Sequence, residues 1–160
     1  ILPSYLGVLN DLRKTFQARP FERPFVFLLH KPYSQSSTIR ATADQEIQFY
    51  DRLLKKVRER WPDLQIVFKV HPKSSAFLVK RLKELCEWPS DFERLPGELF
   101  AQDPNAKIVL GGISTTSIYS SVLFGKEAYY VSPDFVEDTP KVQSEKEAAK
   151  RFNVNYFPVD

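Results

Sequence analysis

Apolar positions along this chain follow two spacings. Near the start they fall at Leu6, Leu9, Leu12 and Phe16, close to the period of one helical face. "ARPFERP" (18–24) holds two prolines and reads as a linker, so the compact domain is expected from about Pro24. "FVFLLH" (25–30) is continuous and apolar, as in a strand buried on both faces. "KPYSQSSTIRA" reads as polar, turn-rich loop. Thr42 and Gln45 form a capping box for a helix with Ile47, Tyr50, Leu53, Leu54 and Val57 on one stripe, stopped by Pro62. The strand "LQIVFKV" (64–70) follows, and Ser74 or Ser75 can cap a helix carrying Leu78, Leu82 and Leu85. "FERLP" (92–96) reads as a short extended piece and "GELFAQ" as a short helix. "KIVL" (107–110) is a third strand, "STTSIYSSVLFG" a helix ended by Gly125, "EAYYV" (127–131) a fourth strand and "SEKEAAKRF" (144–152) a last helix.

Strands alternating with helices predict a Rossmann-like three-layer α/β/α domain with a mainly parallel sheet. Residues 1–23 would be a helix and linker, and 24–160 the domain. In such sheets ligands bind outside the carboxyl ends of the strands. Chemistry is therefore expected just after His30, Val70, Leu110 and Val131.

Composition narrows the class. At 160 residues, 42% hydrophobic and 27% charged, this is an ordinary globular chain. A net charge of +3 suits an anionic small ligand or a membrane surface and falls short of a nucleic-acid footprint. No apolar run approaches the roughly 18 residues of a membrane span, and Pro3, Asn10 and Asp11 interrupt any signal peptide. The single cysteine, Cys86, forms no internal disulfide and builds no metal cluster, which favours a cytosolic address. The chain opens on "ILPSYLGVL" and has no Met, so a segment of a longer protein is expected.

Three constellations carry candidate chemistry. In "KVHP", Lys69 and His71 share a strand face at the carboxyl end, and Pro72 keeps His71 out of the helical region. A fixed cation beside a titratable donor suits phosphate, although a His bonded to a backbone carbonyl beside a solvated Lys fits the same four residues. In "VLGGISTTSIYSSVLFG", Gly111 and Gly112 permit close backbone approach, and Ser114, Thr115 and Thr116 open a helix whose free N–H groups favour anions. A simple cap is the plainer alternative. In "LPGELF", Glu98 follows a Pro-Gly turn, where it can accept two ribose hydroxyls or merely face the helix dipole. No comparable motif surrounds His30, which is expected to matter less than His71.

The order Lys-x-His-Pro, Pro-x-Glu-Leu, Gly-x-Ser-Thr over residues 24–135, with Glu98 27 positions after His71 and Ser114 16 after Glu98, resembles the nucleotide-binding half of bacterial sialyltransferases and polysialyltransferases. That resemblance implies the C-terminal lobe of a glycosyltransferase-B fold, binding CMP-sialic acid or CMP. It implies that His71, with Pro72, acts on the nucleotide phosphate as it leaves. Lys69 would contact the phosphate, Glu98 would hold the ribose, and Gly112, Ser114, Thr115 and Thr116 would cradle the phosphate. The register of the hydroxyl pair is open by one residue, since Thr116 follows Thr115. The family's acidic D/E-D/E-G segment, which supplies the general base, belongs to the N-terminal lobe and has no counterpart here. The glycan acceptor would then be reached through that other lobe, and this chain alone would not transfer sugar. The whole enzyme would invert the anomeric carbon by direct displacement, at the inner face of the cell membrane as a peripheral protein. No metal or cofactor is implied. CDP-glycerol or CDP-ribitol transfer is the nearest rival, with Gly-Gly-Ile before Ser114 leaning toward sialyl transfer. A non-catalytic nucleotide-binding module is the other.

Overall fold

The computed structural model describes residues 2–15, 21–37, 39–85, 95–113 and 115–159. Ser114, Cys86 and residues 92–94 of the expected extended piece lie outside them. The elements are α1 (Leu2–Thr15), β1 (Phe25–Leu29), α2 (Ala43–Arg60), β2 (Gln65–Lys69), α3 (Ala76–Lys83), α4 (Gly97–Ala101), β3 (Ala106–Gly111), α5 (Thr115–Leu123), β4 (Glu127–Tyr130), α6 (Pro140–Arg151) and β5 (Val154–Tyr156).

The strands form one sheet in the order β2-β1-β3-β4-β5, and every pairing is parallel. Helices cover both faces, giving the expected Rossmann-like α/β/α arrangement. Residues of α2 and α3, including Leu53, Leu54, Leu78 and Leu82, bury against Val26, Leu28 and Phe68 on one face. On the other face Leu9 of α1 and Leu99 and Phe100 of α4 pack against Phe25, Phe27, Val67 and Val109. Because β1 and the part of β3 after the exposed Lys107 are covered on both sides, their side chains are apolar without alternation. Each fully buried Leu or Phe is worth about 1.5–3 kcal/mol.

Local signals explain most boundaries. Thr42 and Gln45 close the capping box of α2, and Ser75, rather than Ser74, caps α3. Gly125 takes a left-handed φ of 59° just past α5. Three expectations need correction. The last helix begins at Pro140, four residues before the expected start, because Thr139 caps it and Pro140 fits the first turn. A fifth strand, β5, was not anticipated: only Val154 of "VNY" is buried, so it carries no apolar run. It forms because Asn153, at φ 56°, turns the chain back beside β4. The stretch after β1 is not simply polar loop, since Tyr33 starts a 3-10 turn and is buried.

The helix α1, expected as an interlobe helix ahead of the linker, packs on the domain. Leu9 is 2% exposed, and Arg13 reaches Asp103 at 3.4 Å. Asp103 also accepts the Phe21 N–H at 3.1 Å.

The carboxyl ends of β1 and β3 approach closely. A Cβ on Gly111 would lie 2.7 Å from Leu29 Cβ and 2.8 Å from the Leu29 carbonyl oxygen. Gly111→Ala must therefore push β1 and β3 apart and should cost about 1–3 kcal/mol. Gly7→Ala in α1, with nothing within 4 Å, should gain about 0.5–1 kcal/mol. Urea unfolding of both variants checks this, and equal effects would contradict the close approach.

Candidate functional site

The chain leaves β1 toward β2 on one side and returns to β3 on the other. That reversal opens a crevice at the carboxyl ends of β1 and β3, the position where parallel sheets bind ligands. A cleft of about 620 Å³ occupies it. Lys69, His71 and Pro72 line it from the end of β2 and the turn beyond; Gly112 and Thr116 line it from the end of β3 and α5. Residues separated by up to 47 positions in sequence thus meet around one space. Lys31, just past β1, and Pro96 and Gly97 from the start of α4 complete the walls.

His71 is partly exposed. Its Nδ1 accepts the Lys73 N–H at 3.2 Å, which leaves Nε2 to carry the proton toward the cleft. Burial, then the neighbouring His30, Lys73 and Lys69, holds its pKa below the ordinary 6.5. In its neutral form His71 therefore has one N–H, at Nε2, to donate. Lys69 Nζ lies 6.0 Å from the ring centroid of Phe100 in α4.

His30, which no motif surrounds in the sequence, is the more deeply buried of the two histidines. Its side chain and that of Glu46 are both fully buried and meet at 2.7 Å through Nε2 and Oε1. Glu46 Oε2 also accepts the Ser34 N–H at 2.6 Å. On its other side, His30 Nδ1 accepts the Ser74 hydroxyl at 3.0 Å and the His71 N–H at 3.4 Å. These partners set the tautomer: Nε2–H donates to a carboxylate, and Nδ1 is bare. Burial lowers the His30 pKa, outweighing Glu46. Burial pushes Glu46 up, but the bonds from His30 and Ser34 together hold it below its usual value. The pair thus anchors the turn carrying His71 to the start of α2. The available signal was a lone Glu46 within the apolar stripe of that helix.

Glu98 lies at the start of α4, and its Oε1 accepts the Thr116 hydroxyl at 3.0 Å. The Thr116 proton is therefore committed to Glu98. The backbone of Thr115 opens α5, directly after Gly112 and Ile113 and the undescribed Ser114. Gly112 has a structural reason to lack a side chain: a Cβ would lie 2.6 Å from Lys31 Cδ. Its bare backbone lets the Lys31 stem lie across it.

The histidine assignments have a pH consequence. Below the ordinary value of 6.5 the unfolded chain binds a proton at His30 that the folded chain resists, so stability should fall as pH drops from there. His71, depressed in the same direction, adds to this loss. Glu46 adds a further loss below its ordinary 4.5, where its bonded carboxylate becomes protonated. Melting temperatures from pH 8 to 4 for wild type, His30→Gln and His71→Gln check this. His30→Gln should flatten the upper limb and lower stability by about 3–5 kcal/mol if it strands the buried carboxylate. A wild-type profile that stays level down to pH 5 would overturn the neutral assignment.

No family model matches the chain, and no curated protein matches it. Among solved structures, it is similar to KpsC of Thermosulfurimonas dismutans, described as a beta Kdo 2,7 transferase, with 18% identity and a TM-score of 0.47. The likeness covers 99% of this chain and 47% of that one, so the chain spans about half the length of that structure.

Proposed function

We propose that the cleft binds the nucleotide of a CMP-activated acidic sugar, and that this chain is the donor-nucleotide domain of a glycosyltransferase. Sialic acid is the sugar that the motif resemblance implies. The observation supporting the reading most directly is the meeting of Lys69, His71, Pro72, Gly112 and Thr116 around one cleft; Glu98 does not line it and bonds Thr116, which does.

The chemistry follows from the donor set. The phosphate of CMP would accept the His71 Nε2–H and lie near the Lys69 ammonium and the start of α5. As the bond to the sugar breaks, negative charge grows on that phosphate. A hydrogen bond and a nearby cation would then strengthen, and His71, once protonated to imidazolium as the bound phosphate favours, would give its Nε2 proton to the leaving group and return to neutral imidazole. Glu98 would hold ribose hydroxyls beside Thr116. The base that takes the acceptor's proton would come from outside this chain, as would the glycan acceptor.

CMP should bind in the micromolar to millimolar range, about 4–8 kcal/mol. Calorimetry against CMP, CDP, UDP and ADP, with EDTA and again with magnesium, tests this. Preference for CDP would favour polyol-phosphate transfer, and no heat at millimolar CMP would sink the nucleotide reading. The phosphate should also raise the His71 pKa from its depressed value, so affinity should fall as pH rises between the free and bound pKa values. NMR titration of the histidine ring protons, with the phosphate's own titration subtracted, reports it. His71→Ala should weaken CMP by about 1.5–3 kcal/mol. An unmoved His71 resonance would remove that residue from the phosphate.

A further inference from the structure

The turn that carries His71 belongs to no helix or strand, since it runs between the end of β2 at Lys69 and the start of α3 at Ala76. The Ser74 N–H closes it on the His71 carbonyl at 3.0 Å, and the Lys73 N–H reaches His71 Nδ1. Both bonds lie inside the turn and do not fix it to the rest of the domain.

Two arms from the stretch after β1 do. The first is His30, whose Nδ1 accepts the Ser74 hydroxyl at 3.0 Å and the His71 N–H at 3.4 Å. The second is Gln35. Its amide, oriented to match its neighbours, donates to the Lys73 carbonyl at 2.5 Å and accepts the Ser75 N–H at 2.7 Å. Both arms start from one carboxylate. Glu46 Oε1 takes the His30 Nε2–H at 2.7 Å. Glu46 Oε2 takes the Ser34 N–H at 2.6 Å, within the short 3-10 turn Tyr33–Gln35. The Glu46 side chain is fully buried, and neither Glu46 nor Ser74 lines the cleft.

The chemistry of that junction is demanding. Two donors converge on it, and a carboxylate offers two acceptor oxygens and no donor. An amide in its place has one oxygen, so one arm would face an NH2 group. Turned toward His30, that NH2 would donate to Nε2 and drive the ring proton to Nδ1, where it opposes the His71 N–H. Turned toward Ser34, it would oppose the Ser34 N–H and loosen the Gln35 arm.

We propose that Glu46 is a positioning residue for His71, gripping its turn through His30 on one side and Gln35 on the other. Its effect on ligand affinity rests on the nucleotide reading of the cleft; its effect on the His71 ring does not.

Glu46→Gln and Ser74→Ala are made in the intact chain, the second removing only the hydroxyl that meets His30. Without ligand, NMR should show wild-type His71 titrating below the ordinary 6.5, through burial and its neighbours His30, Lys73 and Lys69. In both variants it should move up toward that value as the turn loosens and the ring gains water. By calorimetry, CMP affinity should fall about tenfold in Glu46→Gln, the size of one hydrogen bond held out of line. In a His71→Ala background the same substitution should change CMP affinity less than about twofold, because the group it positions is gone. Val57→Ala, on the same helix and 0% exposed, should lower the melting temperature and leave both the His71 titration and CMP affinity as in wild type. Should Glu46→Gln fail to fold, Ser74→Ala decides, with a severalfold loss of affinity expected. If wild type does not bind CMP, the nucleotide reading falls and the His71 titration alone decides this one. An unmoved His71 titration, or CMP affinity unchanged in the variants of a wild type that binds, would leave Glu46 a stabilising group only and overturn the inference.

Discussion

A carboxylate with no access to water has to be satisfied wherever it lies, and Glu46 is such a group. Its side chain and that of His30 are fully buried. Isolated, that charge would be costly; here it takes one hydrogen bond from His30 and another from the Ser34 backbone. His30 can serve it only with Nε2–H, which turns a bare Nδ1 toward Ser74 and the His71 N–H. Three loops are thereby tied together: the one after β1, the start of α2, and the turn after β2. The position of His71 follows from a buried charge in a helix that does not line the cleft.

The sheet supplies the second constraint. Parallel strands end together, and reversal of strand order between β1 and β3 leaves a crevice that no crossover helix fills. Glycine sharpens it in two different ways. Gly111 allows β3 to approach Leu29 of β1, whereas Gly112 carries the Lys31 stem on its bare backbone. The first serves the sheet and the second sets the cleft wall. Lys31, just past β1, and Ile113, just past β3, both line the cleft.

Much of this was legible in the residue pattern. Continuous apolar runs marked β1 to β4, because strands buried on both faces cannot alternate. Thr42 with Gln45, Ser75 and Gly125 marked helix ends through hydrogen bonds and φ preferences that span only a few residues. His71, Lys69 and the glycine-hydroxyl segment could be placed at strand ends, and hence at one edge of a parallel sheet. What could not be read was weakly encoded locally. The strand β5 has a single buried residue, and the early start of α6 depends on a Thr-Pro cap with no apolar stripe behind it.

Sequence alone therefore determined the alternating α/β order, the helix caps and the strand ends at which polar residues gather. These depend on periodicity and on contacts a few residues long. Tertiary structure decided the pairing of His30 with Glu46, the commitment of the Thr116 proton to Glu98, the docking of α1 through Leu9 and Arg13, and the burial of a Tyr33 hydroxyl that has no hydrogen-bond partner among the described residues. Each joins residues far apart in the chain or depends on how completely water is excluded. Neither distance nor solvent exclusion is written in local pattern, because both arise only when the two faces of the sheet are covered.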